Sequence, residues 1–206
     1  MKILVTGFTP FGGESVNPAW LAVQALPDVI GAWQVHKAEV PTAFVASRAC
    51  LTELVETLHP DAVICVGQAG GRDAVTIERV AINVMDAALP DNDGFQPQDV
   101  PVVPDAPAAY FATLPIKAMV AAIQADSLPA KVSNTAGTFV CNTLMYHLLH
   151  LAATKYPAMM GGFIHVPYVP EQVVNKPAGT PCMAAADITR ALTAAIQAMP
   201  VSQKEE

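Results

Sequence analysis

Short apolar runs, too continuous for half-exposed strands and too short to cross a membrane, set the main constraint on this chain. Residues 61–67 (Asp-Ala-Val-Ile-Cys-Val-Gly) and 161–166 (Gly-Gly-Phe-Ile-His-Val) are nearly free of polar side chains, as expected of strands covered on both faces. Lys2–Phe8 is a third β-rich run, and Trp33–Val40 a fourth. Helical patterns fall between them. Asn17-Pro18 supplies an N-cap and a first-turn proline for a helix ending near Pro27. Thr42 can cap a helix that reaches His59, a C-terminal cap, and stops at Pro60; its Phe44, Leu51, Val55 and Leu58 share one face. Further helices are expected from about Pro115 to Asp126, from the Cys141 region to about Lys155, and from Thr180-Pro181 to about Met199. A short strand is expected at 131–133, and 200–206 reads as a frayed tail. Strands alternating with helices predict an α/β fold: a three-layer sandwich, a mostly parallel or mixed central sheet with helices on both faces, in a single domain spanning 1–206.

Two segments interrupt that regularity. Residues 75–84 alternate, Val75, Ile77, Arg79, Ala81 and Asn83 on one side and Thr76, Glu78, Val80, Ile82 and Val84 on the other, and read as a strand that can hold a bend or bulge. Residues 89–109, rich in proline and acids, read as one long loop, and loops of that length are often functional.

Composition limits the partners. Only 14% of the residues are charged, against about 25% in typical soluble domains, so part of the surface is expected to be covered by further copies of the chain in a homo-oligomer, a dimer or tetramer. A net charge of −7 argues against nucleic acid or an acidic membrane surface as partner. The N-terminal apolar run is too short for a signal peptide, no stretch is long enough for a transmembrane helix, and Cys50, Cys65, Cys141 and Cys182 show no paired spacing. Free thiols in a reducing cytoplasm, with no zinc quartet, are the expectation.

Cys141 is the residue with the most chemical promise. A small, turn-prone stretch, Ser133-Asn134-Thr135-Ala136-Gly137-Thr138, runs into the helical pattern and leaves Cys141 in its first turn. Unpaired N–H groups and the helix dipole there favour a thiolate and can hold a developing oxyanion. The competing reading is structural, since Cys141, Leu144, Leu148 and Leu151 share one helical face. A cysteine nucleophile needs a base and a group that orients the base. His147 and His150, on the same helix, point about 240° and about 180° away from Cys141. His165 ends an apolar strand, at the sheet edge where a helix N-terminus following a strand also lies, so it is the better partner; the alternative is a hydrogen-bonded core histidine. Glu78, an acid in a strand pattern, is the candidate orienter, or else an edge acid or a salt-bridge partner of Arg72. The turn Gly67-Gln68-Ala69-Gly70-Gly71 matches no phosphate-binding pattern.

Taken in order, several blocks identify a resemblance. They are Thr6-Gly7-Phe8-Thr9-Pro10-Phe11-Gly12-Gly13 with Asn17-Pro18; Gly67-Gln68-Ala69-Gly70-Gly71-Arg72 through Ile77-Glu78-Arg79-Val80-Ala81-Ile82-Asn83; Pro90-Asp91-Asn92 with Gly94; Ser133 through Cys141-Asn142; and Phe163-Ile164-His165-Val166-Pro167-Tyr168. The chain resembles the pyroglutamyl peptidase type I family of cysteine exopeptidases. That resemblance implies hydrolysis of an N-terminal pyroglutamyl residue from peptide substrates without a cofactor, with Glu78, Cys141 and His165 in the triad positions. It also implies a lactam pocket from Phe8, Phe11, Gln68, Leu89, Phe139 and Val140. Ala88 stands where the family pattern has an arginine. A catalytically silent binder of the same fold and a phosphorylase-like enzyme are the alternatives. An unreactive Cys141 would mark the first, and phosphate-dependent turnover the second.

Overall fold

The computed structural model describes residues 1–200; the rest of the expected frayed tail, 201–206, lies outside the described residues. A seven-stranded mixed sheet forms the middle layer. Its strands are β1 (Lys2–Phe8), β2 (Val29–Ile30), β3 (Trp33–Val40), β4 (Ala62–Gln68), β5 (Val75–Glu78), β8 (Ala130–Ser133) and β9 (Met160–Val166), in the spatial order β2-β3-β1-β4-β9-β5-β8. β3, β1, β4 and β9 run parallel; β5 lies antiparallel to β9 but parallel to β8. Between β5 and β8 the chain forms a separate two-stranded ribbon, β6 (Val80–Ile82) with β7 (Ala109–Phe111).

Alternation along each strand supplies two cores. Ile3, Val5, Ile64, Val66, Val75, Ile77, Ile164 and Val166 pack on one face beneath α1 (Pro18–Gln24), α3 (Ile116–Ala125) and α6 (Ala185–Gln197). Leu4, Phe8, Val63, Cys65 and Phe163 project to the other, beneath α2 (Phe44–Leu58) and α4 (Val140–Thr154). Burial on both sides explains why these strands carry continuous apolar sequence. A sixth helix, α5 (Pro170–Val173), is a single turn after β9. The expected α/β three-layer architecture is the observed one.

Local differences have identifiable causes. The strand expected over 75–84 breaks at Arg79: its N–H bonds to Ser133 and its carbonyl accepts from Ala112, so β5 and β6 join different sheets. Asn17 caps α1 as expected, accepting the Ala19 N–H. His59 ends α2 in the left-handed conformation, also as expected. Thr42, however, does not cap α2. Its hydroxyl donates to the Thr9 carbonyl, and the Phe44 N–H goes instead to the buried carboxylate of Asp91 at 2.7 Å. α6 begins at Ala185 rather than at Thr180-Pro181, because Cys182 pairs with Tyr168 and the Met183 N–H donates to the Tyr168 carbonyl.

The long loop holds little regular structure, but it is well tied. Asp91 also accepts the N–H groups of Asp93 and Phe95, and Asn92 bonds to Thr42 and Pro10. Only its last residue, Ala109, enters a strand. Among the described residues, no helix is long and apolar enough to cross a membrane.

Candidate active site

Pleat and register place the site. Thr76 on β5 opposes His165 on β9, and Gly67 on β4 pairs with His165 from the other side. Period-two alternation then sends Phe163, His165, Thr76 and Glu78 to the face covered by α4. There the fully buried Glu78 Oε1 meets His165 Nδ1 at 2.7 Å. A carboxylate can only accept, so Nδ1 donates and Nε2 keeps its lone pair. The same Oε1 accepts from Arg72 Nη1, also at 2.7 Å, and Arg72 Nη2 reaches the Thr135 carbonyl at 3.3 Å in the loop before α4. Sequence alone left the His165 partnership and the Arg72 salt bridge as alternatives for Glu78; both occur. Glu78 Oε2 is buried and has no hydrogen-bond partner among the described residues.

Cys141 sits at the second position of α4, whose N-cap Phe139 contributes no side-chain bond. Asn142, almost wholly buried, clamps this end of the helix to the ribbon. Its Oδ1 accepts the Ile82 N–H at 2.9 Å, and its Nδ2 donates to the Ile82 and Val84 carbonyls. The thiol packs onto the bare backbone of Gly67, where an added Cβ would lie 2.9 Å from Sγ and 2.7 Å from the Phe163 ring. Cys141 and His165 therefore flank one strand position, with the Phe163 ring 4.7 Å from the imidazole.

The charge states follow from burial and neighbours. Burial raises the Cys141 thiol, and the Glu78 carboxylate and Cys65 add to that. Arg72 and Cys141's own N–H oppose them and lose, leaving the thiol at about 12. Desolvation and the nearby carboxylate thus oppose the thiolate that the helix N-terminus favours. Burial lowers His165 more than Glu78 raises it. Burial alone would raise Glu78, but the bond and charge of His165, with help from Arg72, hold it below the ordinary carboxylate range. The resting arrangement is a neutral thiol, a neutral imidazole and an ionised carboxylate.

A cavity of about 190 Å³ opens beside the thiol, lined by Phe8, Phe11, Asn17, Thr42, Gln68, Phe139, Val140 and Cys141. Phe11 and Phe139 meet with tilted rings, centroids 5.1 Å apart, and Phe44 meets Phe139 edge-on. Five of the six expected pocket residues line this cavity; Leu89 does not, and is about half exposed. Asn17 and Thr42 line it unforeseen, since their sequence context marks them as helix caps. A larger groove of about 630 Å³ between α3 and α6 is lined by no cysteine, serine or histidine among the described residues, and its charged pair, Arg190 and Asp126, is mutually bonded. His147 and His150 bond to Thr52 and Tyr110, away from the thiol. Among the described residues, no three potential ligands gather as a metal cage requires.

The model of one protein family, described as pyroglutamyl peptidase, matches residues 1–202. The chain belongs to the pyroglutamyl peptidase family. It is accordingly a peptidase, a hydrolase. Among its relatives, the pyrrolidone-carboxylate peptidase of Enterococcus faecalis is 59% identical over 177 residues, 86% of this chain and 83% of that one. A pyrrolidone-carboxylate peptidase of Streptococcus pneumoniae is 55% identical over 97% of this chain and 92% of its own. The crystal structure of pyroglutamyl peptidase I from Bacillus amyloliquefaciens superposes with a TM-score of 0.93 at 47% identity, covering 96% of this chain and 95% of that one. A mutant pyrrolidone carboxyl peptidase of Pyrococcus furiosus gives 0.92 at 44% identity, covering 96% and 97%. The family match spans every residue of the constellation just described.

Proposed function

We propose that this chain removes the N-terminal pyroglutamyl residue from peptides, with Cys141 as nucleophile, His165 as general base and acid, and Glu78 as the group that orients and stabilises the imidazole. The observation that carries this reading is the buried Glu78–His165 bond beside Gly67, the strand position onto which Cys141, itself part of the cavity lining, also packs. His165 Nε2 takes the thiol proton as Sγ attacks the pyroglutamyl carbonyl. The first turn of α4 offers N–H groups to the oxyanion, and the imidazolium then protonates the leaving amine. Water hydrolyses the thioester with His165 again as base. The substrate ring is flat and uncharged, so aromatic walls and amide groups suit it better than an acidic clamp. Proline, which lacks the lactam carbonyl, would leave buried polar groups unpaired, a loss that can reach ~10⁴-fold.

Hydrolysis of a pyroglutamyl-aminocoumarin substrate, beside prolyl and glutamyl analogues, tests the reading. Release from the pyroglutamyl substrate alone is expected; equal release from the prolyl analogue would exclude a lactam-reading pocket.

The resting charge states also predict the pH profile. His165 must be neutral to accept the proton, and its pKa lies below the ordinary imidazole value. Activity should therefore persist below about pH 6.5 and fall only as the pH drops through that depressed value. The thiol, raised to about 12, contributes no alkaline limb below about pH 10. A kcat/KM profile that rises through pH 8–9 with thiol ionisation would contradict a neutral resting pair.

Gly67→Ala tests the seat of the thiol. The added methyl would meet Sγ and the Phe163 ring at sub-van der Waals distances. Displacing a reacting atom by about 1 Å can cost ~10²-fold, so kcat should fall by that order in a folded variant. An unchanged kcat would show that the thiol does not work from this position.

A further inference from the structure

Gln68 lines the cavity with an amide that has two chemically opposite ends, an acceptor Oε1 and a donor Nε2. Which end faces a ligand decides what the cavity recognises. The orientation is set by a residue 104 positions away in sequence. Gln172, buried on the single-turn helix α5, accepts the Val169 backbone N–H on its Oε1 at 3.2 Å. A backbone N–H can only donate, so this end of the Gln172 amide is the oxygen. Its Nε2 lies 3.5 Å from the Val16 carbonyl, which can only accept, and 2.8 Å from Gln68. The Gln68 atom that it meets must therefore be Oε1. Gln68 Nε2 has no hydrogen-bond partner among the described residues and is left for the cavity. The Asn17 amide, also in the lining, is committed at both ends: its Oδ1 accepts the Ala19 N–H and its Nδ2 donates to the Thr9 carbonyl.

We propose that Gln172 is a specificity-determining positioning residue. By holding Gln68 Oε1 it makes the cavity present a donor, the complement of a lactam carbonyl, where a freely turning amide could equally present an acceptor. The inference rests on the pyroglutamyl reading above and adds to it the polarity of the contact and the residue that sets it.

Two substitutions separate this role from mere packing. Gln172→Glu keeps the shape and an acceptor for the Val169 N–H, but at about pH 8 the carboxylate has no proton to give Gln68. The Gln68 amide then turns over, donates Nε2 to the carboxylate, and presents Oε1 to the cavity. Gln172→Leu deletes every bond yet leaves Gln68 free to adopt either orientation. KM for the pyroglutamyl substrate should rise about tenfold or more in Gln172→Glu and less in Gln172→Leu, with smaller changes in kcat. A structural role alone predicts the reverse order, since leucine loses more bonds. A KM in Gln172→Glu at or below that of Gln172→Leu overturns the proposal.

Should the carboxylate variant not fold, wild-type protein decides with two inhibitors, 2-pyrrolidone and its thiolactam, whose sulfur is the poorer acceptor and whose N–H is the better donor. Several-fold weaker binding of the thiolactam supports a donor in the cavity; equal or tighter binding overturns it. Failure of wild type to cleave the pyroglutamyl substrate would sink the functional reading instead, while the inhibitor pair would still report the polarity.

Discussion

Cys141→Ser should bind 2-pyrrolidone like wild type and turn over pyroglutamyl substrate ~10⁴-fold more slowly or worse. The substitution exchanges sulfur for oxygen in a seat shaped by Gly67 and leaves the α4 N-terminus, the cavity and the Glu78–His165 pair in place. Binding and chemistry should therefore separate cleanly. The loss is large because an alcohol is a far weaker nucleophile, and the His165 base has to extract its proton without the intrinsic reactivity of sulfur. Turnover by the variant within tenfold of wild type would remove Cys141 from the nucleophile position.

Glu78→Gln separates charge from orientation. Oε1 of Glu78 already serves both His165 Nδ1 and Arg72 Nη1, so a glutamine oxygen can receive the same two donors and keep the imidazole tautomer. What disappears is the negative charge that stabilises the imidazolium formed during attack. A fall in kcat of ~10² is expected, with Glu78→Ala worse because it also frees the ring to turn. The pH profile supplies a signature that misfolding would not. The Glu78 charge raises His165, so its loss should move the acid limb to still lower pH. An unchanged kcat, or an acid limb shifted upward, would exclude Glu78 from this role. Circular dichroism and the melting temperature would show whether the fold persists.

The outlines of β4 and β9 were legible because a strand buried on both faces leaves a local signature, a nearly continuous apolar run. The alternation of 75–84 allowed a bend without placing it, because the bonds that set the break at Arg79 come from Ser133 and Ala112. Other features have no local signature. Thr42 looks like a cap, but the acceptor that serves α2 is Asp91, 47 residues away from Phe44. Gln172 lies in a stretch without recognisable periodicity, and its meaning comes from Gln68. The protonation of Cys141 escaped for the same reason. The helix dipole can be read from neighbouring residues, whereas the burial that opposes it involves another strand, with the thiol against Gly67. Leu89, placed in the pocket by resemblance, does not line the cavity beside the thiol, whereas Asn17 and Thr42 do.

The place of β9 in the sheet has a consequence for how the molecule comes into being. The last strand in sequence is inserted between β4 and β5. Without it the sheet falls into two unconnected pieces, β2-β3-β1-β4 and β5-β8. The Glu78–His165 bond spans that seam, between residues 87 apart. Closure of the sheet must await the synthesis of Met160–Val166, and such long-range pairing is slow to form. A growing chain thus carries its thiol from residue 141 onward with no base beside it. The strand that completes the architecture is also the one that brings the imidazole, so assembly and reactivity arrive in a single step.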